Sequence, residues 1–256
     1  MSDHFLRKVM KNRLARAATV YREHGRQELV SRTRDFVRHG VVRRHIVPNV
    51  PYPLTTFRWY LRARQTLLDE EFIGGDPFAL RYVDPTAITH VSRNSLFYES
   101  YRPLHWGQIE DGEWDQDLIR FGELPVPKAI HLHYREGRPW DETPLRTGFD
   151  RRVGGTAERW EYTLDDFDRR VEDVERLVEA IRTDGYKSKR ELAEKGPIDT
   201  ADAVPPFLDE VTVDVGRDGK PHFRFFGVHR LAIAQLFEVP QIPVLVGTWH
   251  ADAVSN

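Results

Sequence analysis

The 256-residue chain contains no cysteine. That excludes disulfides, zinc–thiolate sites and cysteine nucleophiles together, and it fits a reducing, cytoplasmic setting. No apolar run approaches the roughly 20 residues that a bilayer-spanning helix needs. Residues 1–11 are charged, with neither an apolar stretch nor a small-residue cleavage site, so a signal peptide is not expected. Lysine is scarce as well: seven of the 38 basic residues are lysine and the rest arginine, which points to a GC-rich genome and carries no mechanism.

Acidic residues are few only at one end. Residues 1–44 hold twelve Arg/Lys against four Asp/Glu, an excess of +8, while the remainder carries -10. A basic arm on an acidic body suggests a polyanionic partner, either nucleic acid or an anionic membrane surface. Leu6, Met10, Leu14, Ala17 and Tyr21 recur at helical spacing within the arm, and Leu29, Thr33, Phe36 and Val37 line a second helix. Pro48, Pro51 and Pro53 then impose an extended linker.

These patterns divide the chain into a basic helical arm (1–45), an irregular aromatic-rich α/β region (46–160) and a regular C-terminal domain (161–256). In the middle region Ala87–Val91 is strand-like. Two motifs there place a tryptophan and a carboxylate after a glycine turn, one around Gly112, Trp114 and Asp115, the other around Gly137, Trp140 and Asp141. They serve either as aromatic anchors or as binding loops. His131 and His133 would share one side of a strand and reach a metal, although no third ligand is evident.

From Thr163 the pattern is regular. Leu164, Phe167, Val171, Val174, Val178 and Ile181 form a helical stripe ending at Gly185. Ser188 caps a short helix through Ala193. Glu210–Val215 and His222–Phe226 alternate as strands around the turn Arg217-Asp218-Gly219-Lys220. In this alternation His222 falls on the surface side. Leu231–Phe237 is an apolar helix, and Ile242–Thr248 a last strand that His250 follows near the loop. The fold class expected is α+β, a small mixed sheet with helices.

Gly227-Val228-His229-Arg230 joins the second strand to the apolar helix. A helix start offers unpaired N–H groups and a positive dipole end to an anion. Glycine allows close approach, arginine can grip a phosphate in two-pronged fashion, and histidine can exchange a proton near neutral pH. A turn followed by a helix cap would account for the same tetrapeptide.

The stretch Val211–Val246, with Phe225-Phe226-Gly227-Val228-His229-Arg230-Leu231-Ala232-Ile233-Ala234 and Gln241-Ile242-Pro243-Val244, resembles the ParB/sulfiredoxin superfamily. Counting the preceding helix through Gly185, the resemblance covers about a third of the chain. It implies a nucleotide whose phosphates sit at Gly227, Val228, His229 and Arg230, with Asp218 a further candidate contact. Members of the family include CTP-dependent partition proteins, ATP-dependent enzymes that repair peroxiredoxin, and small-molecule kinases. Val228 stands where sulfiredoxin has its cysteine, and only six residues follow His250, so neither sulfinic-acid reduction nor a following DNA-binding domain is expected. The kinase-like members imply an acidic residue near the start of the first helix, where Asp165, Asp166 and Asp168 lie. Those aspartates are equally explained as first-turn acids and i,i+4 partners of Arg169 and Arg170.

The expectation is therefore a nucleotide-binding phosphotransferase (kinase) or nucleotidase for a small polar substrate, using ATP or ADP, or CTP, with Mg²⁺. Its catalytic candidates are Asp168, Asp166 and His229, Asp168 foremost because it lies at the edge of the buried stripe. The alternative is a non-catalytic, nucleotide-switched binding protein that docks through residues 1–44.

Overall fold

The computed structural model describes residues 71–92, 106–147, 164–195, 209–224 and 226–255. The expected basic arm, the proline linker and Phe225 lie outside the described residues. So does the side chain of Asp165.

The fold is α+β, built on a mixed seven-stranded sheet. Its strands are β1 (Arg81–Val83), β2 (His90–Val91), β3 (Gln108–Glu110), β4 (Ile119–Arg120), β5 (Val211–Val215), β6 (Pro221–Phe223) and β7 (Ile242–His250). The order across the sheet is β1-β7-β5-β6-β2-β4, with β3 also paired to β7. Strands from the middle of the sequence and from its last third thus share one sheet. The helices named here are α1 (Pro125–Glu136), α2 (Leu164–Asp184), α3 (Lys189–Lys195), α4 (Val228–Leu236) and α5 (Ala251–Ser255). None of the described helices is long and apolar enough to cross a membrane.

Local chemistry accounts for the elements. On α2 the stripe Phe167, Val174, Val178 and Ile181 is buried, each side chain contributing about 1.5–3 kcal/mol. Helix α3 opens with a reciprocal cap: the Glu191 N–H donates to Ser188 Oγ at 3.0 Å, and the Ser188 N–H donates to Glu191 Oε2 at 2.6 Å. The β5–β6 hairpin pairs Val213 with Phe223 and Asp214 with His222. Helix α4 buries Leu231, Ala232, Ile233 and Ala234.

Three expectations need correction. The region expected to be irregular contains α1, which begins with a proline in its first turn, where no helical N–H is lost. His131 and His133 therefore sit on a helix, two residues apart, and diverge rather than converge. Among the described residues no group of three His, Asp or Glu side chains is arranged for a metal ion. Of Ala87–Val91 only His90–Val91 is strand, Pro85–Ala87 being a 3₁₀ turn closed by the Asp84 side chain.

The two faces of the sheet differ. Val211, Val213 and Val215 of β5, Phe223 of β6, Val91 of β2 and Ile242, Val244 and Val246 of β7 form one hydrophobic core with the helices. Strand alternation sends Thr212, Asp214 and His222 to the opposite face, and all three are buried.

Candidate functional site

The start of α4 is an uncapped helix N-terminus. Gly227 holds φ +81°, and a Cβ there would come within 2.7 Å of Val211 Cγ2 and 2.8 Å of Val211 Cα. Only glycine lets the chain turn this close to β5. The first helical bond runs from the Leu231 N–H to the Gly227 carbonyl at 2.8 Å. The N–H groups of Val228, His229 and Arg230 precede it, and no side chain caps them. Among the described residues none of the three has an acceptor.

His229 turns toward α2. Its Nε2 is sealed from solvent without a hydrogen-bond partner. Burial pulls its pKa down to about 4, the Arg170 charge adding to the effect and Asp173 opposing it. The ring is a neutral imidazole at physiological pH.

Arg230 does something other than wait for a phosphate. Its side chain is 8 % exposed and pairs at 3.2 Å with Glu210, which is 0 % exposed. It also donates to the Lys187 carbonyl, and its guanidinium lies 4.6 Å over the Tyr186 ring. Glu210 further accepts the Arg190 N–H at 3.3 Å, in the first turn of α3. Burial raises the Glu210 pKa, and Arg230 with the α3 amides only partly offsets that. An internal carboxylate thus joins the starts of α3 and α4.

The other sequence candidates are not all gathered here. Asp218 sits in the β5–β6 turn, bonded to Lys220 at 2.6 Å. Gly227 packs on Val211, the first residue of β5, so the length of that strand separates the two. His250 ends β7, which runs parallel to β5, and so it too lies at the far end, against the Gly112 carbonyl at 2.9 Å. At about 100° per residue, Asp166, Arg170 and Asp173 share one flank of α2, and Asp168 shares the other with Glu175. His229 senses Arg170 and Asp173, whereas Glu175 accepts the Trp140 indole N–H at 3.0 Å. Asp166, paired with Arg169 at 3.4 Å, is therefore on the flank of the loop, and exposed Asp168 is not. Asp173 belongs to the loop's flank as well and escaped the sequence reading.

The tryptophan motifs act as anchors. Trp140 is buried and stacked by His133, with centroids 4.1 Å apart and planes at 17°. Asp115 holds the β5–β6 turn through Arg217, accepting its N–H at 2.8 Å and its Nε at 3.1 Å. Burial alone would raise the Asp115 pKa, but the Arg217 bonds and charge outweigh it and bring it to about 2.

A second group of residues occupies the polar face of the sheet. Arg224 Nη1 donates to Asp214 Oδ1 at 2.5 Å and to Thr248 Oγ1 at 2.6 Å. The same Oδ1 accepts the Thr248 N–H at 2.8 Å, where a bulge shifts the β5–β7 register after Val213. Gly247 makes room for this, since a Cβ there would run into the Arg224 guanidinium. His222, expected at the surface, is 8 % exposed. Asp214 Oδ2 and His222 Nδ1 are both buried without partners among the described residues. The sequence hid this face because polar residues alternating with apolar ones read as a solvated surface. The mid-strand glycine at 247 was the one available signal.

No known protein-family model matches the chain, and no curated protein or solved structure matches it either.

Proposed function

We propose that the chain binds a nucleotide, ATP or ADP foremost, with its phosphates on the open amides of Val228, His229 and Arg230, and that it belongs to the phosphotransferase or nucleotidase class acting on a small polar substrate. One observation supports the reading: among the described residues the N–H groups of Val228, His229 and Arg230 open a helix without an acceptor, and the His229 Nε2 of that same turn is sealed without a partner. The dipole and the amides attract phosphate, and a neutral histidine can add a hydrogen bond without charge.

Within this reading Arg230 is a brace and not the phosphate clamp, because Glu210 already holds it. A phosphate there would meet a buried carboxylate. The bound nucleotide would carry Mg²⁺ on its own phosphates, with Asp166 and Asp173 the carboxylates on that flank of α2 to share it. Phosphoryl transfer asks mostly for positioning and charge neutralisation, and Asp166 is the better placed candidate base.

The non-catalytic alternative, a nucleotide-switched binding protein that docks through residues 1–44, is favoured by one specific feature. The only arginine of the Gly227–Arg230 loop is committed to the fold, so the loop itself offers no further cation to a transferring phosphoryl group.

Calorimetric titration with ATP, ADP and CTP, each with Mg²⁺, separates the outcomes. Saturable binding that weakens at least tenfold in a folded His229→Phe variant supports the loop assignment. Absence of binding in the wild-type chain, or unchanged affinity in that variant, overturns it. Turnover abolished by Asp166→Asn then selects the transferase reading, and binding without turnover selects the switch.

A further inference from the structure

The polar face of the sheet crosses four strands and is buried except at its margin. Thr248 on β7, Asp214 on β5 and His222 on β6 lie side by side, with His90 of β2 next to His222 at a ring-centroid distance of 6.4 Å. Thr212 and Ser92, both 0 % exposed, flank them. Folds place apolar side chains on a buried sheet face, because a buried polar group without a partner is costly. This face breaks that rule at two neighbouring positions. Asp214 and His222 are direct cross-strand partners, and each keeps one sealed, unpartnered atom, Oδ2 and Nδ1.

We propose that this face, around Asp214, His222 and Arg224, is a binding site for a neutral hydroxyl-bearing small molecule, a polyol or sugar, one of whose hydroxyls bridges Asp214 Oδ2 and His222 Nδ1.

The chemistry narrows the ligand stepwise. A carboxylate oxygen only accepts, so the ligand must donate to Asp214. The Asp214 charge is already balanced by Arg224 at 2.5 Å, and burial lowers the His222 pKa and keeps that ring neutral. An ammonium would therefore bring an uncompensated charge into a sealed site, which a hydroxyl does not. A hydroxyl also accepts, so either tautomer of His222 can complete the pair. The Arg224 guanidinium bonds through Nη1 alone among the described residues, leaving donors for further hydroxyls. His90 is half-buried and the Arg224 side chain is 11 % exposed, and these two mark the margin by which the site is reached. This site stands apart from the nucleotide reading, and probes without phosphate test it separately.

The competing occupant is an ordered water, which could bridge the same two atoms. The decisive experiment uses the full chain labelled at histidine, titrated with glycerol, glucose and myo-inositol while the His222 imidazole resonances are followed. A saturable shift with at least one probe is expected. So is a rise in melting temperature with that probe that a His222→Phe variant lacks. The variant also corrects for the general stabilisation that polyols give any protein. His222 resonances indifferent to every probe, or equal melting shifts in wild type and variant, mean an ordered water only and overturn the proposal.

Discussion

Replacing Arg230 with alanine distinguishes a brace from a phosphate clamp before any ligand is added. The substitution leaves the Glu210 carboxylate, 0 % exposed, without its charge partner. Breaking a buried pair from one side costs about 3–5 kcal/mol. Glu210 keeps the Arg190 N–H at 3.3 Å, which favours the lower half of that range. Losing the guanidinium over Tyr186, at 4.6 Å, adds about 1 kcal/mol. A loss of about 4 kcal/mol is expected in urea unfolding at neutral pH without nucleotide. Glu210 gives the result a pH signature. Its folded pKa is already raised by burial, and without Arg230 it rises further. The folded variant then takes up a proton before the unfolded chain does, so its deficit shrinks as the pH falls. Pairing Arg230→Met with Glu210→Gln should recover more than half of the loss, since no buried charge remains. A deficit below about 1 kcal/mol, or one that does not change between neutral and mildly acidic pH, would refute the brace.

Three further outcomes follow from the geometry. His229 titrates at about 4 in the fold against 6.5 as an ordinary histidine, so the unfolded chain binds its proton first. Stability should therefore fall as pH drops through that window, by about 3 kcal/mol from this residue, and His229→Phe should flatten the profile in pH-dependent chemical unfolding. Gly247→Ala should cost about 1–3 kcal/mol in chemical unfolding by driving a methyl into Arg224, whereas Gly122→Ala, with open space at its Cβ position, should stay within about 0.5 kcal/mol in the same assay. Ser188→Ala should cost about 1 kcal/mol by removing the oxygen that caps α3, read as a lowered urea midpoint.

How far the sequence could be read depended on how local each signal was. The stripe from Phe167 to Ile181, the Ser188 cap and the Asp-Gly hairpin turn each rest on neighbours within a few residues, and all three features appear in the structure. Helix α1 was not expected from the sequence; its Pro125 and Pro127 both fall in a first turn that has no helical N–H to lose. The loop at Gly227 was legible as a helix start. The partner of its arginine was not, because Glu210 lies twenty residues away and only the hairpin brings it close. The polar face was illegible for a related reason. Alternation tells which residues share a face, but not whether that face meets water, and here Thr212, Asp214 and His222 do not.

The most direct test of the central claim is the amide spectrum of the full-length, ¹⁵N-labelled chain during titration with ATP and Mg²⁺. The N–H groups of Val228 and His229, which have no acceptor among the described residues, should move saturably as phosphate oxygens bond to them, ahead of any change at the distant Asp218 turn. Stationary Val228 and His229 signals in the presence of saturating nucleotide would contradict the account.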